Sequence, residues 1–231
     1  MVALFVAPNL LTLSGATVTS SVPDRELTDP QLMTYLVGSL AVQLLTFTVA
    51  LLPLVFARRL DRRILGPAPP QRSARVVRTG LLAGTVATAG AYGVNALLVA
   101  LTGADEPVQQ QLLEDALTGG VPLLLVIAIA VIAAPITEEV IFRGVLFRSL
   151  ADRFGPWTGI VTSAAIFAAI HTEVLTSQPL ALAGLFVIGG VLAYAYQRTG
   201  RLAVPIIGHA AFNAASLGLA LALDRVLEVV P

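Results

Sequence analysis

Long apolar stretches, separated by short polar turns, make up most of this chain and predict membrane-spanning helices. A helix needs about 20 predominantly apolar residues to cross a bilayer, and several stretches approach or exceed that length. The clearest predicted spans run over about Gln31 to Ala57, Thr79 to Leu101, Val121 to Leu150, Trp157 to His171, Leu180 to Tyr196 and Leu202 to Leu223. The pattern therefore predicts an all-α, polytopic transmembrane bundle.

Two further segments bring the expected bundle to about seven to eight helices. Residues 2–20 are apolar but are interrupted by Pro8 and Asn9, which makes them a weak span. We favour a crossing here, with the N-terminus inside, over an outer flexible tail. The stretch Val108 to Leu117 is expected to form a short surface helix. No repeat or domain boundary stands out, so residues 1–231 are read as a single membrane domain.

Arginines orient the spans. Seven of them fall within residues 58–78, Arg148 and Arg153 lie at the end of the span that begins near Val121, and Arg198 and Arg201 follow the span that ends near Tyr196. Cytoplasmic loops of membrane proteins carry an excess of basic residues, and these three loops agree on one orientation. The topology therefore places all three in the cytoplasm.

Composition also indicates a membrane protein, and it excludes several classes of function. Hydrophobic residues make up 56% of the 231 and charged residues only 12%, against about 25% charged in a soluble domain. The absence of cysteine excludes disulfides, thiolate metal sites and a cysteine nucleophile. Because the arginines flank spans and do not cover a soluble face, the sequence gives no nucleic-acid footprint. We expect a multi-pass protein of a prokaryotic plasma membrane.

The polar residues inside the spans are the candidates for chemistry. Glu138 and Glu139 end an apolar run, although an acidic residue at a helix centre costs roughly 2.5–3.5 kcal/mol on insertion scales. Arg143 lies four residues beyond Glu139 and so shares its helix face. The chain's two histidines, His171 and His209, lie in or at the end of later spans.

Each of these residues also has a structural explanation. His209 with Asn213, at the same spacing of four, could form a helix–helix polar contact, and Glu139 with Arg143 a neutralised pair. Phe167 is expected to serve as a packing side chain. Together, however, the carboxylates, histidines and amide supply what is needed to activate water. We favour a catalytic site over a purely structural one.

Three motifs carry a family resemblance. Glu138-Glu139-Val-Ile-Phe-Arg143, Phe167-Ala-Ala-Ile-His171 and His209-Ala-Ala-Phe-Asn213 resemble the EExxxR, FxxxH and HxxxN motifs of the CPBP family. That family comprises the type II CAAX prenyl proteases and the bacteriocin-processing, or Abi, intramembrane proteases. The motif-bearing region covers residues 121–223 in the family's order.

The resemblance implies an intramembrane endopeptidase with a polar cavity among its helices. In it, Glu138 and His171 would activate water, and His209 and Asn213 would bind the scissile carbonyl and the oxyanion. Glu139 and Arg143 would brace the site. A divalent metal such as zinc is possible but is not required by the sequence. If one binds, Glu138, His171 and His209 are its candidate ligands.

The expected partners are the lipid bilayer and a membrane peptide or protein as substrate. Two other function classes stay open: a non-catalytic scaffold or immunity protein, and a proton-coupled transporter that uses the carboxylates as relays. The absence of an inverted repeat disfavours the transporter.

Overall fold

The structure, a computed structural model, describes residues 73–103, 120–171 and 180–229, with side chains to residue 222, and scattered positions between 33 and 48. Every regular element in these ranges is a helix, and no strand occurs in them. The predicted all-α class is therefore confirmed. Residues 2–20, most of the span from Gln31 to Ala57 and the predicted surface helix from Val108 to Leu117 lie outside the described residues.

Five helices follow one another along the described chain. Their bounds are Ser73–Thr102 (α1), Gly120–Phe154 (α2), Pro156–Ala169 (α3), Ala181–Thr199 (α4) and Ala203–Val229 (α5). Helices α1, α2, α4 and α5 are long and apolar enough to cross a membrane, and α3 is shorter. These helices correspond to the five predicted spans from Thr79 onward, so the protein is an integral membrane protein, as the sequence predicts.

The start of α1 differs from the prediction. Helix α1 begins at Ser73, six residues before the expected Thr79, so Arg75 and Arg78 belong to its first turns. Both side chains are exposed there. Hydropathy marks where a helix enters hydrocarbon, whereas backbone hydrogen bonding continues beyond it wherever charged side chains can reach water.

Glycines bring α1 and α5 unusually close. A Cβ added at Gly84 would lie 2.7 Å from the carbonyl oxygen of Gly208, and one added at Gly80 would lie 2.7 Å from Cβ of Ile207. Small residues allow helix backbones to approach closely in membranes, where packing drives association. This contact fixes the start of α5 and, with it, His209, the residue after Gly208.

Helix α2 is wound more loosely on either side of the two glutamates. Residues Ala128–Ala133 and Val140–Phe147 are π-helical, and the α-helical turn Ala134–Glu139 lies between them. The π geometry is rare and is frequently found at functional sites. Pro135 stands in the middle of this region, where it can donate no backbone hydrogen bond.

A buried cluster surrounds this part of α2. Phe142 and Phe167 meet edge to face, with ring centroids 5.1 Å apart, and Leu185, Ile188 and Phe212 join them from α4 and α5. On the outside, large apolar side chains stand exposed, including Leu82 (64% exposed), Leu101 (73%) and Leu124 (65%). An apolar exterior around a partly polar interior fits a protein dissolved in lipid.

Candidate active site

Glu139 joins three helices. Its Oε1 accepts a 2.8 Å hydrogen bond from Nη1 of Arg143, one turn away on α2, and a second of 2.8 Å from Nδ1 of His209 on α5. Arg143 also donates from Nη2 to the carbonyl oxygen of Gly189 on α4, at 3.0 Å. Glu139, Arg143 and His209 are all at most 1% exposed. Oε1 is therefore compensated by charge and hydrogen bonds, as a buried ion requires, while Oε2 has no partner among the described residues.

Glu138 is also buried, at 4% exposed, but neither of its carboxylate oxygens has a hydrogen-bond partner among the described residues. Its nearest cationic partner is His209, whose Nε2 lies 4.0 Å from Oε2 of Glu138. That separation is too long for a hydrogen bond. Because buried polar groups are nearly always hydrogen-bonded, this carboxylate is arranged to contact something other than its own helices.

The partner of His209 fixes which ring nitrogen carries its proton. Arg143 can only donate, so the Glu139 carboxylate acts as acceptor, and Nδ1 of His209 must donate to it. The opposite nitrogen, Nε2, has no partner within the described chain and is directed toward Glu138. If Nε2 also carries a proton, two carboxylates and two cations give this cluster a net charge of zero. A neutral total lowers the cost of placing ions in hydrocarbon.

His171 stands just beyond the end of α3 and is fully buried. Its Nδ1 lies 2.6 Å from the carbonyl oxygen of Phe167. Since a carbonyl can only accept, Nδ1 carries the proton, and Nε2 of the neutral ring has a free lone pair. No hydrogen bond joins His171 to the other candidate residues in the described ranges.

Phe167 connects the two histidines by contact. Its ring centroid lies 5.0 Å from that of His171 and 6.0 Å from that of His209, and Cζ of Arg143 lies 4.9 Å from it. The Phe167 ring thus makes a cation–π contact with Arg143 and packs near both imidazole rings. The prediction that Phe167 is packing agrees with its burial, and the side chains it packs against are those of the candidate site.

Asn213 holds α2 from the opposite side. Its Nδ2 donates at 2.6 Å to the carbonyl oxygen of Ala130, which leaves Oδ1 unpartnered within the described chain. That carbonyl is free because of the local backbone. The N–H of Ala134 bonds to Ile129 in the π register, and Pro135, the next residue, has no N–H.

Two of these contacts could not be expected from the motifs. The Gly189 carbonyl and the Ala130 carbonyl are backbone groups, and a sequence motif records side chains only. Pro135 offered one usable signal, since a proline inside a span frees a carbonyl that another helix can bind. The fold brings Glu138, Glu139, Arg143 and His209 together, while Asn213 bonds to the backbone of α2 at Ala130 and His171 is linked to the group through Phe167.

Glu138, His171 and His209 are the candidate ligands for a metal ion. Within the part of the chain that the structure describes, no group of three or more His, Asp or Glu side chains is arranged to hold a metal ion. Among the candidate ligands, His209 donates from Nδ1 to Glu139, and its Nε2 has no partner among the described residues. The described residues are thus not grouped as a three-ligand metal site, and no step below uses a metal.

Comparison with known proteins agrees with this geometry. The family profile described as "Type II CAAX prenyl endopeptidase Rce1-like" matches residues 120–215, a range that contains all three motifs. An Escherichia coli protein named "Uncharacterized 24.3 kDa protein" is 31% identical over 161 residues, which is 68% of this chain and 70% of the relative.

A second relative carries a functional name. The Bacillus subtilis (strain 168) protein named "Putative membrane peptidase YdiL" is 32% identical over 93 residues, or 40% of this chain and 35% of the relative. No solved structure gives a significant match. By its motifs, its helical fold and these matches, the chain belongs to the type II CAAX prenyl endopeptidase family.

Proposed function

We propose that this protein is an intramembrane endopeptidase that hydrolyses peptide bonds with water activated by Glu138. The observation that carries the proposal is the contrast between two adjacent carboxylates. Oε1 of Glu139 accepts hydrogen bonds from both Arg143 and His209, whereas Glu138 is also buried and neither of its oxygens has a hydrogen-bond partner among the described residues. A general base must be able to contact a water molecule, and Glu138 is the glutamate of the pair that no described side chain holds through a hydrogen bond.

The remaining side chains complete a hydrolytic reaction. Glu138 accepts a proton from water, and the hydroxide attacks the scissile carbonyl carbon. His171 accepts a second hydrogen bond from that water through its free Nε2. Glu138 then returns the proton to the leaving amine as the C–N bond breaks, so that no covalent intermediate forms with the enzyme.

The oxyanion of the tetrahedral intermediate requires donors. Nε2–H of His209 in its imidazolium form is one, because Glu139 fixes the ring and balances its charge. Asn213 supplies its second Nδ2 hydrogen, the first being committed to Ala130. Such donors are most effective where water is scarce and the geometry is preorganised.

The substrate is proposed to be a peptide or protein held in or at the membrane. The candidate site is buried among helices that are apolar outside, so a substrate reaches it most readily from the bilayer or its cytoplasmic face. The bacterial relatives favour a prokaryotic plasma membrane as the location.

Comparative peptide profiling tests the proposal. Membranes from cells that express the wild type, Glu138→Gln or Asp152→Asn are compared for cleaved peptides. Glu138→Gln keeps the shape but removes the base, so products are expected to fall by at least about 10²–10⁴-fold. Asp152→Asn, an exposed carboxylate at the end of the same helix, should leave them unchanged.

Equal abundance of the variants in the membrane is the necessary control. Undiminished cleavage by a folded Glu138→Gln protein would overturn the assignment of the base. If no peptide depends on either the wild type or the variant, the protein acts as a scaffold and not as a peptidase.

A further inference from the structure

A cavity separate from the glutamate site opens where α3 begins and α4 ends. Its volume is about 280 Å³, and its lining residues are Pro156, Trp157, Ile160, Tyr194, Gln197 and Arg198. None of these belongs to the three motifs. The helix ends that form the cavity are those assigned to the cytoplasmic side by their arginines.

Aromatic side chains form one wall of the cavity. Trp157 and Tyr194 are stacked, with ring centroids 6.3 Å apart and planes 22° from parallel, and they are 70% and 46% exposed. Tryptophan and tyrosine concentrate at the level of lipid headgroups, where a ring can be apolar at one end and hydrated at the other. Two exposed aromatic side chains stacked in one place indicate a surface that lipid covers.

Arg198 supplies the cation of the cavity. Its Cζ lies 6.0 Å from the centroid of Tyr194, and it forms no ion pair with any described residue. A guanidinium presents a planar fork of donors that fits the oxygens of a phosphate. Gln197, also exposed, adds an amide beside it.

Charge around the cavity points to the same ligand class. The chain segments at this end of the bundle, residues 148–157 and 194–204, contain four arginines and one acidic residue, Asp152. Apolar protein surface is also available to the acyl chains of a lipid, because Phe154 and Val161 are 56% and 53% exposed. A soluble anion would contact only the arginines, whereas an amphiphile would contact both the arginines and the exposed apolar side chains.

We propose that this cavity binds the headgroup of an anionic phospholipid, with the phosphate at Arg198 and the glycerol region against Trp157 and Tyr194. Basic pockets between helices on the cytoplasmic side are a recognised form of lipid site. The binding is independent of peptide hydrolysis, so it stands or fails separately from the peptidase assignment.

The fluorescence of Trp157 can report the binding, because it is the one tryptophan of the chain. The full-length protein is placed in phosphatidylcholine vesicles that contain a series of increasing fractions of either brominated phosphatidylglycerol or brominated phosphatidylcholine. Bromine quenches a tryptophan that it contacts. Quenching by brominated phosphatidylglycerol is expected to be half-maximal at about a fivefold lower fraction, the factor typical of one basic group near an anionic surface.

Two arginine variants separate a site from general attraction. Arg198→Gln should abolish the fivefold preference. Arg153→Gln removes the same charge at the same end of the bundle but does not line the cavity, so it should retain most of the preference. Both side chains are exposed, and unchanged elution from gel filtration checks that both variants fold.

Three results would overturn the proposal. Equal quenching of the wild type by both brominated lipids would mean that no anionic headgroup is selected. An equal loss in Arg153→Gln and Arg198→Gln would assign the preference to surface charge alone. Displacement of the brominated lipid by inorganic phosphate, at constant ionic strength, would make the cavity a site for a free anion.

Discussion

The carboxylate of Glu139 lies 2.8 Å from Nδ1 of His209, across 70 residues of sequence and between α2 and α5. This contact determines the tautomer and the ring orientation of the histidine, because the carboxylate can only accept. It also separates the roles of the two adjacent glutamates. Glu139 is committed to positioning, and Glu138 remains available for a substrate or water.

The first prediction concerns the coupling of Glu139 with Arg143. Glu139→Gln leaves the Arg143 guanidinium, which is 1% exposed, without its carboxylate. Removing one partner of a buried ion pair costs about 3–5 kcal/mol. Thermal unfolding in detergent should therefore show a large loss of stability for Glu139→Gln and for Arg143→Met alone.

The double variant distinguishes this explanation from lost packing. In Glu139→Gln with Arg143→Met, no uncompensated charge is left in the pair, and at least half of the lost stability should return. Strictly additive losses would show that the two side chains are not energetically coupled.

Side-chain patterns predicted most of the described fold. The five spans from Thr79 onward were expected from continuous hydrophobicity, and helices are found at each, because a chain in lipid must satisfy its backbone within helices. Helix α1 begins at Ser73, earlier than the span predicted from Thr79. Charged residues such as Arg75 lower the hydropathy of this segment without ending the helix.

The site was predicted only as far as side chains can specify it. The spacing of four correctly placed Glu139 beside Arg143. It could not show that His209 would bond to Glu139 and not to Glu138, since that depends on how α5 packs against α2. The π-helical winding around the glutamates and the carbonyl of Gly189 likewise follow from tertiary contacts that no local pattern records.

The second prediction concerns metal removal. Because the described His, Asp and Glu side chains form no metal-binding group, proteolysis should survive dialysis against EDTA with less than about a twofold loss of rate. Elemental analysis of the purified protein should find less than one zinc per chain. Loss of activity on chelation that zinc alone restores would contradict the donor geometry described here.

The third prediction concerns Pro135. Pro135→Ala restores a backbone N–H that can compete with Asn213 for the carbonyl of Ala130. Loss of one hydrogen bond that positions Asn213 should lower kcat by about tenfold. Helix stability should rise at the same time, because proline in a helix interior is unfavourable by about 3 kcal/mol relative to alanine.

Opposite signs in rate and stability make this prediction specific to positioning. Pro122→Ala is the matched control, since proline is tolerated in the first turn of a helix and Pro122 lies in the first turn of α2. It should change neither kcat nor the unfolding temperature appreciably. A Pro135→Ala protein with unaltered kcat would mean that Asn213 does not depend on the freed carbonyl.

The last prediction compares two neighbouring glycines on α4. A Cβ at Gly189 would lie 3.0 Å from Cα of Ala164 on α3, whereas one at Gly190 would meet nothing within 4 Å. Gly189→Ala should therefore push α3 from α4, cost about 1–3 kcal/mol and displace the carbonyl that Arg143 binds. Gly190→Ala should instead gain up to about 1 kcal/mol from helix propensity and keep full activity. Thermal unfolding and proteolysis are measured on both variants, and equal stability of the two would contradict the close approach at Gly189.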